Sequence, residues 1–547
     1  MTLNDTVGRI KKLAEKSCIR TAIQSVLALF SFCYALFFIR YNYYTLMNSD
    51  TSGELILGRL LSQQGGILAS NWTYTTELRV INTQIIYKLV FMLLGDNWMM
   101  VRLVSNGIML LMLAAGYLFM MWALGRAEVG RWSVFMIFLP FGANYAYIVV
   151  YGAFYVPHIL FTFISVGLMA IAIKEGGRTR IITLIMLFLT ALFSGLGGAR
   201  QALICYIPAV LVGFLDMLIR FLTDRREVLK RFCITALAFF GNLVGVAINS
   251  VYFGRRYSFL HQSSTYIWEG ISVHKFFDVL SDLIASFGMC FNDTSFMGVY
   301  GAINFLDLGF VLLVIAGVYV LILRGKELDE RELFYTLFLL AGTAFCALVY
   351  SSSRQGYVIT YWAPFMPLYY PVPFMALGYA KKINAERGKL LLIGYAVIVF
   401  LLGSHVTLKN PFDQKLDFMQ EGINLLAADE VIESMPDEGF APFWIGNNIV
   451  EYTNGKKDVW TMDDDSMTTL DDPDMISWLQ NRKHKKQLPE GEFFVVTFAR
   501  YLDETYFAYS PLFLDEEHMI YSDDHLTIYV FKDFEDYKET LKAVGAK

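Results

Sequence analysis

The chain has 547 residues, of which 56% are hydrophobic and only 17% are charged, and its formal net charge is -5. Soluble domains are about 45–50% apolar and about 25% charged, so this composition excludes an ordinary soluble protein and indicates a polytopic membrane protein. The charge balance implies no nucleic-acid partner. Five of the six cysteines lie in or beside apolar runs, which argues against a disulfide framework and against a zinc site.

The first apolar run follows a basic N-terminal segment, residues 1–20, and has no small-residue cleavage site, so we interpret it as a retained first span. A membrane helix needs about 20 apolar residues. Eleven segments come close to that length. They cover residues 21–39, 99–124, 131–150, 154–173, 181–195, 202–222, 231–253, 305–323, 333–350, 357–380 and 389–405.

The apolar run at residues 80–95 is short and contains Asn82, Gln84 and Lys88. If it does not cross, the alternate loops on the N-terminal side carry more than twice as many lysines and arginines as the opposite loops. If it did cross, the bias would be lost. The positive-inside rule therefore predicts a cytoplasmic N-terminus and lays residues 80–95 along the outer interface, leaving loops 40–98 and 254–304 outside.

The last part of the chain, residues 410–547, is acidic and has few apolar runs. Short β-rich runs such as FFVVTF and LTIYVF alternate there with helical candidates such as GINLLAADEVIESM and SWLQNRKHKK. The predicted fold class is thus an α-helical polytopic membrane protein with about 11 transmembrane helices in residues 21–405, followed by a small extracytoplasmic α/β C-terminal domain.

The polar loop from Asn48 to Lys88 carries the best candidate for a reactive group. Asp50 lies directly after the first span, where a carboxylate is costly unless it is solvated or partnered. It could be a general base that takes a proton from an acceptor hydroxyl. It could equally be a cap for the helix that begins with TSGE.

The order of segments resembles that of the GT-C superfamily. An acidic residue after the first span is followed by an amphipathic segment ending in a glycine pair and a tryptophan (LGRLLSQQGGILASNW), and then by a short interfacial helix (INTQIIYKLVFMLLG) leading into the second span. The pattern is most similar to the protein O-mannosyltransferases and the aminoarabinose transferase of lipid A. The resemblance implies a catalytic Asp at position 50 and a sugar donor carried on polyprenyl phosphate.

The sequence departs from that family at two points. The family often has an adjacent acidic pair, whereas this chain has DTSGE, so Glu54 lies one helical turn after Asp50. The family's proline-rich segment before the interfacial helix corresponds here to TTELRVINTQ, which contains no proline.

Glu77 is a second candidate catalytic carboxylate, which would orient the acceptor or hold a divalent cation together with Asp50. The alternative is an ion pair between Glu77 and Arg79 at the interface. A divalent cation is left open, but no His or Asp cluster has ligand spacing, and no other cofactor is indicated.

A lipid-phosphate donor requires cations near the outer interface, and arginine suits phosphate because it donates two parallel hydrogen bonds. Arg200 and Arg354 are the sole cations of two very short outer loops, so we predict that they bind the phosphate, with Arg79 and Lys88 as further candidates. The alternative is that these side chains extend to lipid headgroups.

Three other residues are candidates for the same cavity. His158 begins the fourth span, where a structural histidine is the more frequent case. Tyr357 and Tyr361, next to Arg354, suit an interfacial aromatic belt as well as a sugar-stacking surface. In loop 254–304, the pattern FFDVLSDLIASF predicts a second interfacial helix that covers the site.

These features predict a multi-pass glycosyltransferase of a plasma membrane, with few cysteines and a polyprenyl donor suiting a bacterium. The acceptor would be a glycan, a lipid or a protein. Two other functions remain open: a polymerase or ligase that uses lipid-diphosphate glycans, and a non-enzymatic flippase or transporter. A transporter would favour charges buried in mid-span and inverted repeats, and the sequence shows neither clearly.

Overall fold

The computed structural model describes residues 3–220, 224–259, 270, 272–288, 298–352, 358–380, 385–409, 421–462, 475–499 and 511–545. In these ranges, eight helices are long and apolar enough to cross a membrane, or nine if one bent pair is counted as a span. The protein is therefore a multi-pass membrane protein. The spans are Cys18–Tyr41, Trp98–Ala123, Val156–Lys174, Gly177–Gly195, Arg225–Phe253, Gly301–Leu323, Glu330–Ser352 and Arg387–Lys409.

The helices of the membrane domain pack around one buried core. The membrane-domain helices are α1 (Leu3–Tyr41), α2 (Ser49–Gln64), α3 (Gln84–Leu94), α4 (Trp98–Ala123), α5 (Ala127–Ser133), α6 (Phe135–Phe138), α7 (Ala143–Tyr145), α8 (Val156–Lys174), α9 (Gly177–Gly195), α10 (Ile207–Arg220), α11 (Arg225–Ile248), α12 (Val273–Ala285), α13 (Gly298–Leu323), α14 (Glu330–Ser352), α15 (Met366–Tyr369), α16 (Val372–Leu377) and α17 (Ala385–Lys409).

Three of the eleven predicted segments are not long straight helices. The segment at 131–150 bends by 82°, because Leu139 is extended before Pro140 and Gly142 has a φ of 80°. The segment at 202–222 gives a shorter apolar helix, Ala202–Leu218. The segment at 357–380 is divided into short helices by four prolines between positions 364 and 373.

The two predicted interfacial helices are present. Helix α3 has 11 residues, which is about 16 Å and too short to span a bilayer. Its side chains Met92 and Leu93 are exposed, as expected for a helix whose apolar face meets lipid. Helix α12 lies in the predicted second loop, and the Trp362 indole donates to the carbonyl of Val279 on it at 2.8 Å.

The C-terminal part forms an α/β unit around a five-stranded mixed sheet. The strand order is β4–β3–β6–β8–β7, with β3 parallel to β4 and β6, and β8 antiparallel to β6 and β7. Side chains alternate between two buried faces, so Phe493 and Phe494 enter different cores. The unit contains β3 (Glu438–Pro442), β4 (Asp458–Met462), β5 (Gln480–Asn481), β6 (Phe493–Phe498), β7 (Met519–Ser522), β8 (Leu526–Phe531), α18 (Glu421–Ala427), α19 (Asp429–Ser434), α20 (Phe443–Tyr452) and α21 (Phe534–Ala543).

One helical expectation in this unit is wrong. The run SWLQNRKHKK forms strand β5 and a short 3₁₀-helix, Arg482–Lys485, instead of an α-helix. Strand β5 lies outside the large sheet and pairs antiparallel with β1 (Trp72–Tyr74). Strand β1 also pairs in parallel with β2 (Ser258–Phe259), which gives a second, three-stranded sheet. This small sheet joins the first loop, the second loop and the C-terminal unit, and tertiary pairing of this kind overrides local helix propensity.

The two parts of the chain are also joined by a fully buried ion pair. Arg102 of α4 donates two hydrogen bonds to Glu451 of α20, at 2.9 and 2.5 Å, and both side chains are 0% exposed. Ser52 of α2 donates to the same carboxylate at 2.7 Å. Tyr151 lies under the guanidinium, with the ring centroid 4.7 Å away. A membrane helix, the first loop and the C-terminal unit thus meet at one carboxylate.

We expect Glu451→Ala to lower the free energy of unfolding by about 3–5 kcal/mol, because it leaves the Arg102 guanidinium buried without a counter-charge. The measurement is thermal unfolding of the purified protein in detergent. Glu430→Ala is the matched control, since Glu430 is an exposed acid of the neighbouring helix α19 and should change stability by less than about 0.5 kcal/mol. Equal melting temperatures for both variants would contradict the role given to the pair.

Candidate active site at the first loop

Helix α2 begins with a cap that leaves Asp50 free for another role. The side chain of Asn48 accepts a hydrogen bond from the Asp50 backbone N–H at 3.0 Å, and the Asn48 N–H donates to Thr51 Oγ1 at 3.3 Å. Asn48 is therefore the capping residue. Asp50 lies half-buried in the first turn, and Glu54 follows it on the same face of the helix.

Glu54 fixes the distance between α2 and the start of α3. It is 4% exposed, and Thr83 donates to its carboxylate at 2.8 Å. Burial raises the pKa of Glu54, while the positive charge of Arg79 and the Thr83 hydrogen bond oppose that shift. The side chain predicted as a cavity residue thus lies inside the protein, facing the arginine.

The pKa of the Asp50 carboxyl is raised to about 6, mainly because burial disfavours its charged form. The nearby carboxylate of Glu54 raises it further, whereas Trp478 and Arg79 favour ionisation. The Trp478 indole nitrogen is buried and has no hydrogen-bond partner within the described residues. A carboxylate that ionises near pH 6 is well suited to general-base chemistry at neutral pH.

Two arginines surround Glu77 beside this face. The Glu77 carboxylate lies 3.9 Å from Arg79 Nε and 3.8 Å from Arg200 Nε. Gly198 has a φ of 101°, and a Cβ there would lie 3.1 Å from Glu77 Cδ, so only glycine permits this approach. Glu77 Oε2 and Arg79 Nε are buried, and neither makes a hydrogen bond within the described residues. The predicted pairing of Glu77 with Arg79 is thus a three-member cluster that includes Arg200.

Backbone contacts hold the two arginine-bearing segments together. The Val80 N–H donates to the carbonyl of Leu196 at 3.1 Å. Asn249 donates to the carbonyls of Leu78 and Leu196, at 2.6 Å each. Two short π-helices lie at this point, Ala202–Tyr206 and Asn249–Phe253, and such turns are frequent at functional sites.

Aromatic rings line the other side of Arg200. The Arg200 guanidinium donates to the hydroxyl of Tyr155 and lies 5.3 Å from the centroid of that ring and 4.9 Å from that of Tyr361. His158 is buried, and its Nδ1 lies 3.0 Å from Gln201 Oε1. The histidine lies within electrostatic reach of Arg79 and Arg200. Tyr361 and His158 are therefore next to the cluster.

The remaining predicted site residues are Lys88, Arg354 and Tyr357. Lys88 donates to the carbonyl of Gly66 at 2.6 Å, which ties α3 to the loop after α2. Arg354 and Tyr357 lie outside the described residues. Within the described ranges, no group of three or more His, Cys, Asp or Glu side chains is arranged to hold a metal ion.

Trp478 is the site residue that sequence reasoning missed. It lies more than 400 positions after Asp50, in a segment that reads as helical, and it reaches the first loop only because β5 pairs with β1. The sequence offers only a weak indication of Trp478, which is that an aromatic residue precedes a short polar run in the C-terminal unit.

In sequence, no family model matches this chain, and no curated protein matches it. In structure, the chain is similar to ArnT from Cupriavidus metallidurans in the apo state, with a TM-score of 0.60 at 10% identity over 94% of this chain and 98% of that one. ArnT from the same organism bound to undecaprenyl phosphate gives a TM-score of 0.58 at 11% identity, over 93% and 97% of the two chains.

The chain therefore has an ArnT-like fold, which is the GT-C fold that the resemblance implies. The match extends over the membrane helices and the C-terminal unit together, because it covers nearly all of both chains. The predicted fold class is confirmed, with the sheet domain near the C-terminus. At this level of identity the likeness concerns the GT-C fold alone.

Gly58 lies where α2 packs closely against α3, so its substitution tests the packing that positions Glu54. A Cβ at this position of α2 would lie 2.5 Å from Tyr87 Cβ on α3. We expect Gly58→Ala to destabilise the protein by about 1–3 kcal/mol, since a Cβ close to the backbone of α3 has little freedom to move. Gly394→Ala is the control, because nothing lies within 4 Å of that added Cβ in α17, and it should be neutral or stabilising. The measurement is thermal unfolding of both variants. An unchanged melting temperature in Gly58→Ala would contradict the close approach of α2 and α3.

Proposed function

We propose that this protein transfers a sugar from a polyprenyl-phosphate donor to an acceptor hydroxyl, with Asp50 as the general base. Arg79 and Arg200 bind the phosphate of the donor, and the reaction takes place on the outer face of a bacterial plasma membrane. The observation that carries the proposal is the position of Arg79. Its charge acts on Asp50 and Glu54, and its guanidinium lies 3.9 Å from Glu77, which also faces Arg200.

The fold supports the proposal because ArnT, which shares it, has been solved with undecaprenyl phosphate bound. The local chemistry supports it as well. Arg79 Nε is a buried donor with no hydrogen-bond partner within the described residues, and Arg200 Nε lies 3.8 Å from the neighbouring Glu77 carboxylate. Guanidinium donors of this kind can give phosphate the paired hydrogen bonds that it accepts. The rings of Tyr155 and Tyr361 pack against the Arg200 guanidinium and restrict its motion.

In the proposed reaction, Asp50 accepts the proton of the acceptor hydroxyl as the oxygen bonds to the anomeric carbon. The bond between that carbon and the phosphate oxygen breaks, and the lipid phosphate leaves as an anion beside Arg79 and Arg200. A phosphate leaving group needs no protonating acid, because fixed positive charges stabilise the charge that develops on it. Glu77 orients the two arginines, and Glu54 holds α2 against α3. A single displacement inverts the configuration of the anomeric carbon.

Asp50→Asn should abolish transfer from a labelled undecaprenyl-phosphate sugar in proteoliposomes, with a loss of about 10²–10⁴-fold or more, since the amide cannot accept the proton. For the unmodified protein, kcat/KM should rise with pH through about 6 and reach a plateau above it, because only the ionised carboxylate acts as a base. Asp96→Asn is the control: Asp96 is an exposed acid of the same loop, paired with Arg59, and should keep full activity. Retained turnover in Asp50→Asn would remove Asp50 from its role.

Arg79→Ala and Arg200→Ala should each weaken binding of undecaprenyl phosphate by roughly tenfold to a hundredfold, because a hydrogen bond to a charged group contributes about 1.5–3 kcal/mol. Binding is measured on the purified proteins, so the result does not depend on the identity of the sugar. Arg59→Ala serves as the control, as Arg59 pairs with Asp96 at 2.5 Å. Equal affinity in all three variants would place the phosphate elsewhere, and transfer from diphosphate-linked glycans alone would favour a ligase.

A further inference from the structure

The C-terminal unit contacts the catalytic loop at the turn that carries Asp50. Ser49 Oγ donates to the carbonyl of Phe443, at the start of α20. Asn447, one turn further along α20, donates to the Ser49 carbonyl at 3.3 Å and to the Leu479 carbonyl at 3.2 Å. Leu479, the residue after Trp478, is thereby joined through Asn447 to the residue before Asp50.

Helix α2 meets this unit through a face of small residues. Ser49, Ser52 and Gly53 lie on one side of the helix, next to the face that carries Asp50. A Cβ at Gly53 would lie 3.1 Å from Leu479 Cβ and 3.3 Å from Asn447 Nδ2. The close approach fixes the rotation of α2 about its axis, and that rotation determines where the Asp50 carboxylate points.

Trp478 completes the surroundings of this carboxylate. The pKa of the Asp50 carboxyl is affected by Glu54 on its own helix, by Arg79 from the segment before α3, and by Trp478 from the C-terminal unit. The indole packs against Phe443, with ring centroids 6.3 Å apart. Its Nε1 is buried and has no hydrogen-bond partner within the described residues. The N–H is therefore available to the Asp50 carboxylate.

We propose that Trp478 is a positioning residue of the transfer site, holding the Asp50 carboxylate ionised and oriented through its indole N–H. The C-terminal unit is then a working part of the active site, since it supplies this group and fixes the rotation of α2. Glu54 and burial raise the pKa of Asp50, and Arg79 and Trp478 oppose only part of that shift. This inference rests on the proposed role of Asp50 as the base.

The test is the pH dependence of kcat/KM for sugar transfer by full-length protein in proteoliposomes. Trp478→Phe keeps a ring in contact with Phe443 but removes the N–H. We expect the acid limb of the profile to move to higher pH by roughly half a unit to one unit, with plateau activity reduced only a fewfold. Trp478→His, which restores a ring N–H, should recover part of the shift. Trp444→Phe is the control, as Trp444 is an exposed tryptophan of the same unit, and it should leave the profile unchanged.

A second variant tests the contact independently of the indole. Gly53→Ala forces Leu479 and Asn447 to give way by a few tenths of an ångström, so we expect kcat to fall about tenfold or more while binding of undecaprenyl phosphate is unchanged. A pH profile of Trp478→Phe that coincides with that of the unmodified protein, while Asp50→Asn is inactive, would overturn the role of Trp478 and leave the proposed function standing. Activity in Asp50→Asn would overturn both.

Discussion

The structure depends most on the buried ion pair between Arg102 and Glu451. Two charges removed from water are stable only when each satisfies the other, and here the guanidinium binds the carboxylate through two nitrogens with both groups fully buried. The pair joins a membrane-spanning helix to the C-terminal unit, and Ser52 attaches the first loop to the same carboxylate. The position of α2, and hence of Asp50, follows from this joint.

The candidate site also contains partly buried acidic and basic side chains that lie close to one another. Three carboxylates and two guanidinium groups lie beside one another, and burial raises the pKa of Asp50 and Glu54. The pKa of Asp50 is thereby raised to about 6, above the ordinary range of an aspartate. Beside Glu77, Arg79 Nε is buried without a hydrogen-bond partner in the described residues, and an anionic ligand could accept from it.

Much of the membrane architecture could be predicted because it follows from local composition. The first span, the short α3 and the helix in the second loop are visible as apolar runs of different length. The position of Asp50 after the first span leaves a general base and a helix cap equally open, and the resemblance to the GT-C superfamily is what favours the base. The bend after Leu139 and the division of residues 357–380 also have a local cause, since prolines and a glycine mark both. Hydropathy alone predicts a span in each segment because it does not register those prolines and that glycine.

The joints between distant parts could not be predicted. Arg102 reads as one charge at the start of a span, and Glu451 as one acid among many in the C-terminal half. Trp478 lies in a run whose composition favours helix, and its place beside Asp50 comes from the pairing of β5 with β1. These contacts depend on which surfaces of the folded chain meet. A single sequence has no periodic pattern that indicates such long-range pairings.

We propose that Asp50, Arg79 and Arg200 lie around one site that binds a lipid phosphate. An experimental structure of the protein with undecaprenyl phosphate bound tests it most directly. We expect the phosphate to lie within hydrogen-bond distance of both guanidinium groups, with Asp50 facing the oxygen from which a sugar would depart. A phosphate bound beside Lys88, or on the opposite side of α2 from Asp50, would contradict the account.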